Sequence, residues 1–397
     1  MKKSIAIIGS GPAALMLAAT LDENIFDVII YERNFAPARK FLVAGDGGFN
    51  LTHSEELEQF ILRYTPSRFL ENSIRSFTNQ DLQKWLKDTG IETFIGTSKR
   101  VFPLKEIKPI GVLNAFLDKL KNKNVQIKTK HEWQGWNDKK ELVFKNESGP
   151  LIVKADIVVF ALGGASWSKT GSDGQWTQYF EKQNIDQIPF QPSNCAFHIN
   201  WDKFFRANAE GQPLKNISAS CDGKEKKGEL VISKFGIEGG AVYALSPQIR
   251  KQLSENKTAT IYIDLKPQLT LETIQTKLAS TGNQNVSNAL QEIKLTKVQV
   301  ALLKSILSKE DFSNTTVLAE KIKHLPLQIS GMATIDESIS TVGGIALHET
   351  DEKFQLKKLP GHYAIGEMLD WDAPTGGYLL QACFSMGNYL GKQLNKI

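Results

Sequence analysis

Cysteine is scarce: Cys195, Cys221 and Cys383 are the three thiols of a 397-residue chain. They are too few and too scattered for a disulfide framework or a four-thiolate metal site, so any thiol chemistry rests on a single residue. No metal is expected. No apolar run approaches the roughly 18 residues of a membrane-spanning helix, and no charged leader followed by an apolar stretch is present. The expectation is a cytoplasmic protein that does not engage a membrane. Internal repeats, low-complexity tracts and Pro/Ser linkers are also missing, so an additional domain would be packed rather than tethered. With 41% hydrophobic residues, and a length beyond what one core usually serves, two or more domains are expected.

The net charge of +5 is unevenly spread. Between Lys99 and Lys130 nine basic residues (Lys99, Arg100, Lys105, Lys108, Lys119, Lys121, Lys123, Lys128, Lys130) face only Glu106 and Asp118, a local excess of +7. A solvated surface is the ordinary explanation of such a stretch. The functional one is a landing strip for a polyanion such as RNA. No RRM or KH signature accompanies it, which argues against strong autonomous RNA binding.

The chain opens with a strand, a glycine turn, a helix and a second strand in about thirty residues, the first unit of a parallel sheet. Ile5–Ile8 is a continuous apolar run, as a strand buried on both faces requires. It leads into Gly9-Ser10-Gly11-Pro12-Ala13-Ala14, which fits G-x-G-x-x-G/A. Gly9 permits the tight turn, Gly11 lets the backbone approach a pyrophosphate, and Ala14 allows close helix packing, with the helix amides facing the phosphates. Glu32 ends the second strand, where a carboxylate accepts ribose hydroxyls; an acid there disfavours a 2′-phosphate, so the nucleotide is FAD or NAD rather than NADP. No second glycine fingerprint follows, so a separate NAD(P)H domain is not expected.

Residues 54–90 carry helical periodicity, 125–144 alternate like antiparallel strands, and 155–162 read as another buried strand ending at Gly163-Gly164. From about 190 to 263 short β-like runs lie between Gly and Asn turns. From 271 to 322 helical periodicity takes over.

Several longer stretches carry a resemblance: Arg39–Ser54 (RKFLVAGDGGFNLTHS), Ala161–Trp167 with Gly171–Gly174, Gly343-Gly344-Ile345, and Gly366–Tyr378 (GEMLDWDAPTGGY). In this order they resemble the bacterial HI0933-like (BaiN-like) flavoproteins, and one uncharacterised NAD(P)/FAD-dependent branch of them in particular. The resemblance implies an α/β fold: a glutathione-reductase-type, Rossmann-like FAD-binding domain made of residues 1–189 and 341–397. It implies an inserted domain at 190–340, a β-barrel over about 190–265 and a helical part over about 266–325.

The resemblance further implies FAD as cofactor, with NAD(P)H as a transient reductant. Gly9, Gly11, Pro12, Ala13, Glu32, Arg33, Ala161 and Gly163 would frame the dinucleotide. Arg39, Lys40, Gly47, Gly48 and Asn50 would run along it, and Trp133 would offer main-chain groups to adenine. Gly366 and Glu367 would meet the ribityl and pyrophosphate region, and Gly376, Gly377 and Tyr378 would begin the last helix at the flavin pyrimidine edge, where a helix N-terminus stabilises the negative charge of reduced flavin. Asp370 and Asp372 are as well explained by solvation or turn capping. Wider-family members often place cysteine where this chain has Phe49, so a thiol acid in that loop is not expected.

No catalytic residue stands out; Cys383, His53 and Arg100 are the weak candidates, with Phe102, Pro103, Lys105 and Lys108 beside the substrate approach. Cys383 fits a small buried hydrophobe better than a nucleophile, and His53 fits a loop support better than a proton carrier. The expected activity is FAD-dependent reduction of a conjugated C=C bond in a small molecule. The alternatives are reduction of uridine in ribosomal RNA, and, in another class, a flavin-binding scaffold or redox sensor with structural FAD.

Overall fold

Strand Lys3–Ile8 lies at the centre of a five-stranded parallel sheet in the order 362–364, 157–160, 3–8, 26–31, 126–128. Ile5 pairs with Ile157 on one side and with Val28 on the other. This computed structural model describes residues 1–43, 49–279 and 286–397. They form two units, Met1–Pro192 with Ile335–Ile397, and Ser193–Thr334.

In the first unit, Ile5–Ile8 are buried because both faces of their sheet are covered. The Pro12–Thr20 helix shows no apolar stripe. Ala13 through Ala19 are all buried, since the sheet takes one side and the final helix, Tyr378–Leu394, another. The crossing is close because it is built from small residues: a Cβ added to Gly387 would stand 2.9 Å from the Leu17 amide nitrogen, and one on Gly391 would stand 2.8 Å from the Thr20 side chain.

The helical reading of residues 54–90 resolves into Leu57–Ile61, Ser67–Ser76 and Asn79–Asp88, the last begun by a capping box of Thr78 and Asp81. The reading of 125–144 as antiparallel strands needs correction. Gln126–Lys128 pairs in parallel with Phe26–Tyr31 and belongs to the main sheet. The antiparallel partners are Glu132–Trp136, Leu142–Asn146 and Gly149–Val153. Alternation marks a strand but does not choose its neighbour, and a left-handed turn residue, Lys130 at φ 57°, separates the two sheets.

The second unit carries a seven-stranded antiparallel sheet, in the order 325–329, 259–264, 213–221, 224–233, 236–238, 197–198, 331–332. Its helices between Leu271 and Lys323 leave from strand Ala259–Asp264 and return to its neighbour Leu325–Ile329, with Ile261 opposite Leu327. The helical part is therefore an excursion within the sheet, whose strands run on to residue 332. Cys195 and Cys221 are buried in this unit's apolar core, and burial pushes the Cys221 thiol up to about 11. Among the described residues, no helix is long and apolar enough to cross a membrane.

Candidate functional site

A cleft of about 180 Å³ opens at the C-terminal ends of the central strands of the parallel sheet. Gly9, Gly11, Pro12, Ala13, Glu32, Arg33, Arg39, Lys40, Trp133, Ala161, Gly163, Gly366, Glu367 and Cys383 all line it. Its floor is the first βα turn. Gly9 has φ +96°, and a Cβ there would crowd the Ala161 carbonyl, so glycine is required by the protein itself. Gly11 differs: a Cβ there would meet nothing within 4 Å. The space in front of it belongs to whatever occupies the cleft. Gly11 also caps the Pro12–Thr20 helix without any side-chain hydrogen bond, leaving that positive helix end open to an anion.

Glu32 is buried at the end of the second strand. Its Oε1 accepts from the Asn34 backbone N–H at 2.8 Å and from Asn34 Nδ2 at 2.7 Å, and its Oε2 accepts from Ser10 Oγ–H. These bonds fix its rotamer, and a carboxylate retains further lone pairs for a ribose. Arg33 is paired with Asp173 at 3.0 Å and donates to the Gly171 carbonyl, so its charge is spent inside the protein. Lys40 donates to Ser166 Oγ at 2.8 Å and pairs with Glu367 at 3.0 Å, and Glu367 also accepts from the Thr341 N–H. This network ties the loop after the second strand to the returning C-terminal segment. Arg39 donates to Asn34 Oδ1 at 3.0 Å and stacks over Phe35.

Cys383 lines the cleft one helical turn into the final helix. Burial, with the charge of Glu367 adding to it, pushes its thiol up to about 12. It stays protonated at neutral pH, which removes it as a thiolate nucleophile.

Asn50 does not line this cleft, and neither do His53, Arg100, Gly376, Gly377 and Tyr378, which form a second cluster at the start of the final helix. Gly377, at φ +99°, is packed so tightly that a Cβ would stand 2.5 Å from Thr52 Cα. Tyr378 stacks on His53 at 5.2 Å between ring centroids and donates its hydroxyl to Glu55 at 2.5 Å. Arg63 grips the same carboxylate through two hydrogen bonds of 3.0 and 2.8 Å. Burial works against the charge on Glu55, but the hydrogen bonds from Arg63 and Tyr378 outweigh it and hold its carboxyl below the ordinary range. Burial and the bond to Glu55 keep the Tyr378 hydroxyl protonated far above the ordinary phenol range. His53 Nδ1 accepts from the Glu55 N–H at 3.1 Å, supporting the loop. Asp370 accepts from the Gly343 N–H and Asp372 from the Ala373 N–H, both structural roles. Gly47 and Gly48 lie outside the described residues.

Sequence reasoning missed Ser10, Asn34, Glu55, Arg63, Asp173 and Thr341. Ser10 and Asp173 carried a local signal, as parts of the Gly9–Ala14 and Gly171–Gly174 stretches. In the basic segment, Lys123 is consumed by the Ala19 and Leu21 carbonyls and by Glu23, and Lys130 by Glu147. Lys99, Lys105, Lys108, Lys119 and Lys121 are exposed.

The donor set suits a dinucleotide. Besides the open Gly11 and the uncapped helix end, Trp133, which lines the cleft, has its Nε1 buried with no partner among the described residues, as an atom waiting for a ligand would be.

The model of the HI0933-like protein Rossmann domain matches residues 3–393. Among curated proteins, the chain is similar to a 3-dehydro-bile acid delta(4,6)-reductase of Clostridium scindens, at 23% identity over 98% of both chains. It is also similar to a ribosomal RNA dihydrouridine synthase of Escherichia coli, at 22% identity over 96% of this chain and 94% of that one. Among solved structures, a 3-ketosteroid-delta4-(5alpha)-dehydrogenase from Rhodococcus jostii matches 100% of this chain and 97% of its own with a TM-score of 0.50 and 12% identity, a likeness of fold.

Proposed function

The chain belongs to the HI0933-like family and is an FAD-dependent oxidoreductase, and from that premise we propose that it reduces a carbon–carbon double bond conjugated to a carbonyl in a small ring compound. The observation that carries the cofactor part of the reading is the open Gly11 beneath an uncapped helix end, which suits the pyrophosphate of a dinucleotide. Support for the reaction comes from two relatives matched nearly end to end, both named for adding hydrogen to a ring.

The Gly9–Ala13 turn would hold the pyrophosphate, Glu32 a ribose, and Gly366 and Glu367 the middle of the FAD. When bound, FAD supplies a hydride to the substrate and is replenished by a reduced nicotinamide, NADH or NADPH. Cys383 and Tyr378 are both held protonated at neutral pH, so neither acts as a base. We read the Ser193–Thr334 unit as a small β-barrel with a helical part; its support is that the two outermost strands of the sheet follow one another across Ser330.

The exposed lysines between Lys99 and Lys121 favour a second reading, uridine in ribosomal RNA as the substrate. Anaerobic reduction of the purified flavoprotein by NADH or NADPH, followed by reoxidation, separates the possibilities. Reoxidation by cyclic enones is expected. Reoxidation by undermodified ribosomal RNA alone would favour the second reading, and no reoxidation by either would leave a scaffold or redox sensor with structural FAD.

A further inference from the structure

Four side chains from three strands share one face beside the start of the final helix. In the small antiparallel sheet of Thr52–His53, Arg100–Pro103 and Thr93–Ile95, His53 pairs with Arg100 and Phe94 pairs with Phe102. Directly paired residues, and residues two apart, point to the same side of a sheet. His53, Arg100, Phe102 and Phe94 therefore make one row, while Thr52, Val101 and Pro103 are buried on the other side. One end of the row is closed where Tyr378 stacks on His53. The other is open: Phe94 is exposed and stacks on Phe102 with ring centroids 5.6 Å apart.

Arg100 sits between the two ends. Arg33, Arg63 and Arg75 each hold a carboxylate, whereas the half-buried guanidinium of Arg100 makes no ion pair or hydrogen bond among the described residues. Its Nε lies 3.5 Å from where a Cβ on Gly376 would stand, at ordinary van der Waals contact, so Gly376 borders the cation. A forked, unsatisfied donor next to an aromatic surface is suited to a planar ring that carries an electron-rich oxygen.

The geometry points to Arg100 as the anchor of the substrate's carbonyl oxygen, with Phe102 and Phe94 as the surface that receives its ring; this rests on the double-bond reductase reading. The substrate class is a planar, cyclic, conjugated carbonyl compound. Conjugate addition of a hydride, drawn from the flavin, forms a C–H bond at the β-carbon and breaks the C=C π bond. The electron pair then resides on the carbonyl oxygen as an enolate, and a proton taken from water at the α-carbon restores the carbonyl, leaving hydroxide to the solvent. Arg100 meets more negative charge on the enolate than on the starting carbonyl, so its contact favours the transition state over the bound substrate.

The test uses FAD-loaded protein and p-nitrophenolate, a planar ring with an anionic oxygen, titrated by its absorbance change. Arg100→Ala is expected to weaken binding by about tenfold or more, the scale of a lost charge-assisted hydrogen bond, with FAD content unchanged. Arg100→Lys, which keeps the charge but not the fork, should fall between, and it guards against a folding defect in the alanine variant. Equal affinity in all three proteins would overturn the anchor. If the parent binds p-nitrophenolate in an Arg100-dependent way but reduces no cyclic enone, the anchor stands and the reductase reading falls. If p-nitrophenolate does not bind while a ribosomal RNA fragment does, the small-ring substrate is overturned.

Discussion

Gly387 of the final helix lies against Ala13 of the first so closely that a Cβ on Gly387 would intrude on the Ala13 carbonyl oxygen. Residue 13 lines the nucleotide cleft, and the same final helix carries Cys383 into it. Gly387→Ala should therefore cost about 1–3 kcal/mol, the usual range for overpacking. A urea midpoint that drops with unchanged slope, accompanied by weaker FAD retention, is the expected result; an unchanged midpoint would show that the two helices can part freely.

Gly9 and Gly11 should respond in opposite ways. A valine at Gly11 meets no protein atom within 4 Å at its Cβ, so the fold survives while FAD is lost. An alanine at Gly9 is strained by φ +96° and crowds the Ala161 carbonyl, so stability falls even without cofactor. Thermal melts of the apo and FAD-loaded variants separate the two effects. A Gly11→Val protein that purifies fully loaded with FAD would refute the placement of the pyrophosphate.

Glu55 bridges Tyr378 and Arg63 with a depressed carboxyl pKa. A carboxylate of this kind stabilises the fold above its unfolded pKa, and that contribution disappears as pH falls through the lower, folded value. Glu55→Gln should cost about 1–3 kcal/mol at neutral pH, because hydrogen bonds to a charged group are lost. Its melting temperature should also decline less steeply on acidification than the parent's. Parallel acid profiles would show that Glu55 does not carry this linkage.

Cys383 behaves with the opposite sign. Its folded pKa is raised to about 12 from an ordinary value of 9.0, so its share of stability is intact below pH 9 and is lost as pH climbs towards 12. Iodoacetamide should label Cys383 more slowly at pH 8 in native than in unfolded protein, as read by peptide mass spectrometry. Rapid native labelling would mean that the thiol is less buried than described.

Lys105 and Lys108 are exposed within the basic segment. If RNA is the substrate, replacing both with glutamine should weaken ribosomal RNA binding and flatten its salt dependence by roughly one counterion per lost phosphate contact. FAD content should stay the same. Identical salt slopes for parent and variant would remove RNA from consideration.

The first thirty-two residues were legible because their structure is local. A continuous apolar run makes a strand buried on both faces, Gly9 supplies the positive φ of the turn, and Glu32 follows at a spacing that strand length dictates. The family and the cofactor class also lay in the sequence, since long motifs stand in order at both ends. What the sequence could not supply is pairing across distance. Nothing in the strand of Gln126–Lys128 says that it joins the parallel sheet, because alternation gives a strand its faces but not its neighbours. Tyr378 finds Glu55 across 323 residues, Lys40 finds Glu367, and Arg33 finds Asp173. Their partners were fixed only when packing brought the final helix against the first and the small sheet against its start. The same packing set Gly376 beside Arg100 and left its guanidinium with no ion pair or hydrogen bond among the described residues, because side-chain proximity is a property of the folded chain, whereas turn and strand preference belong to the residues themselves.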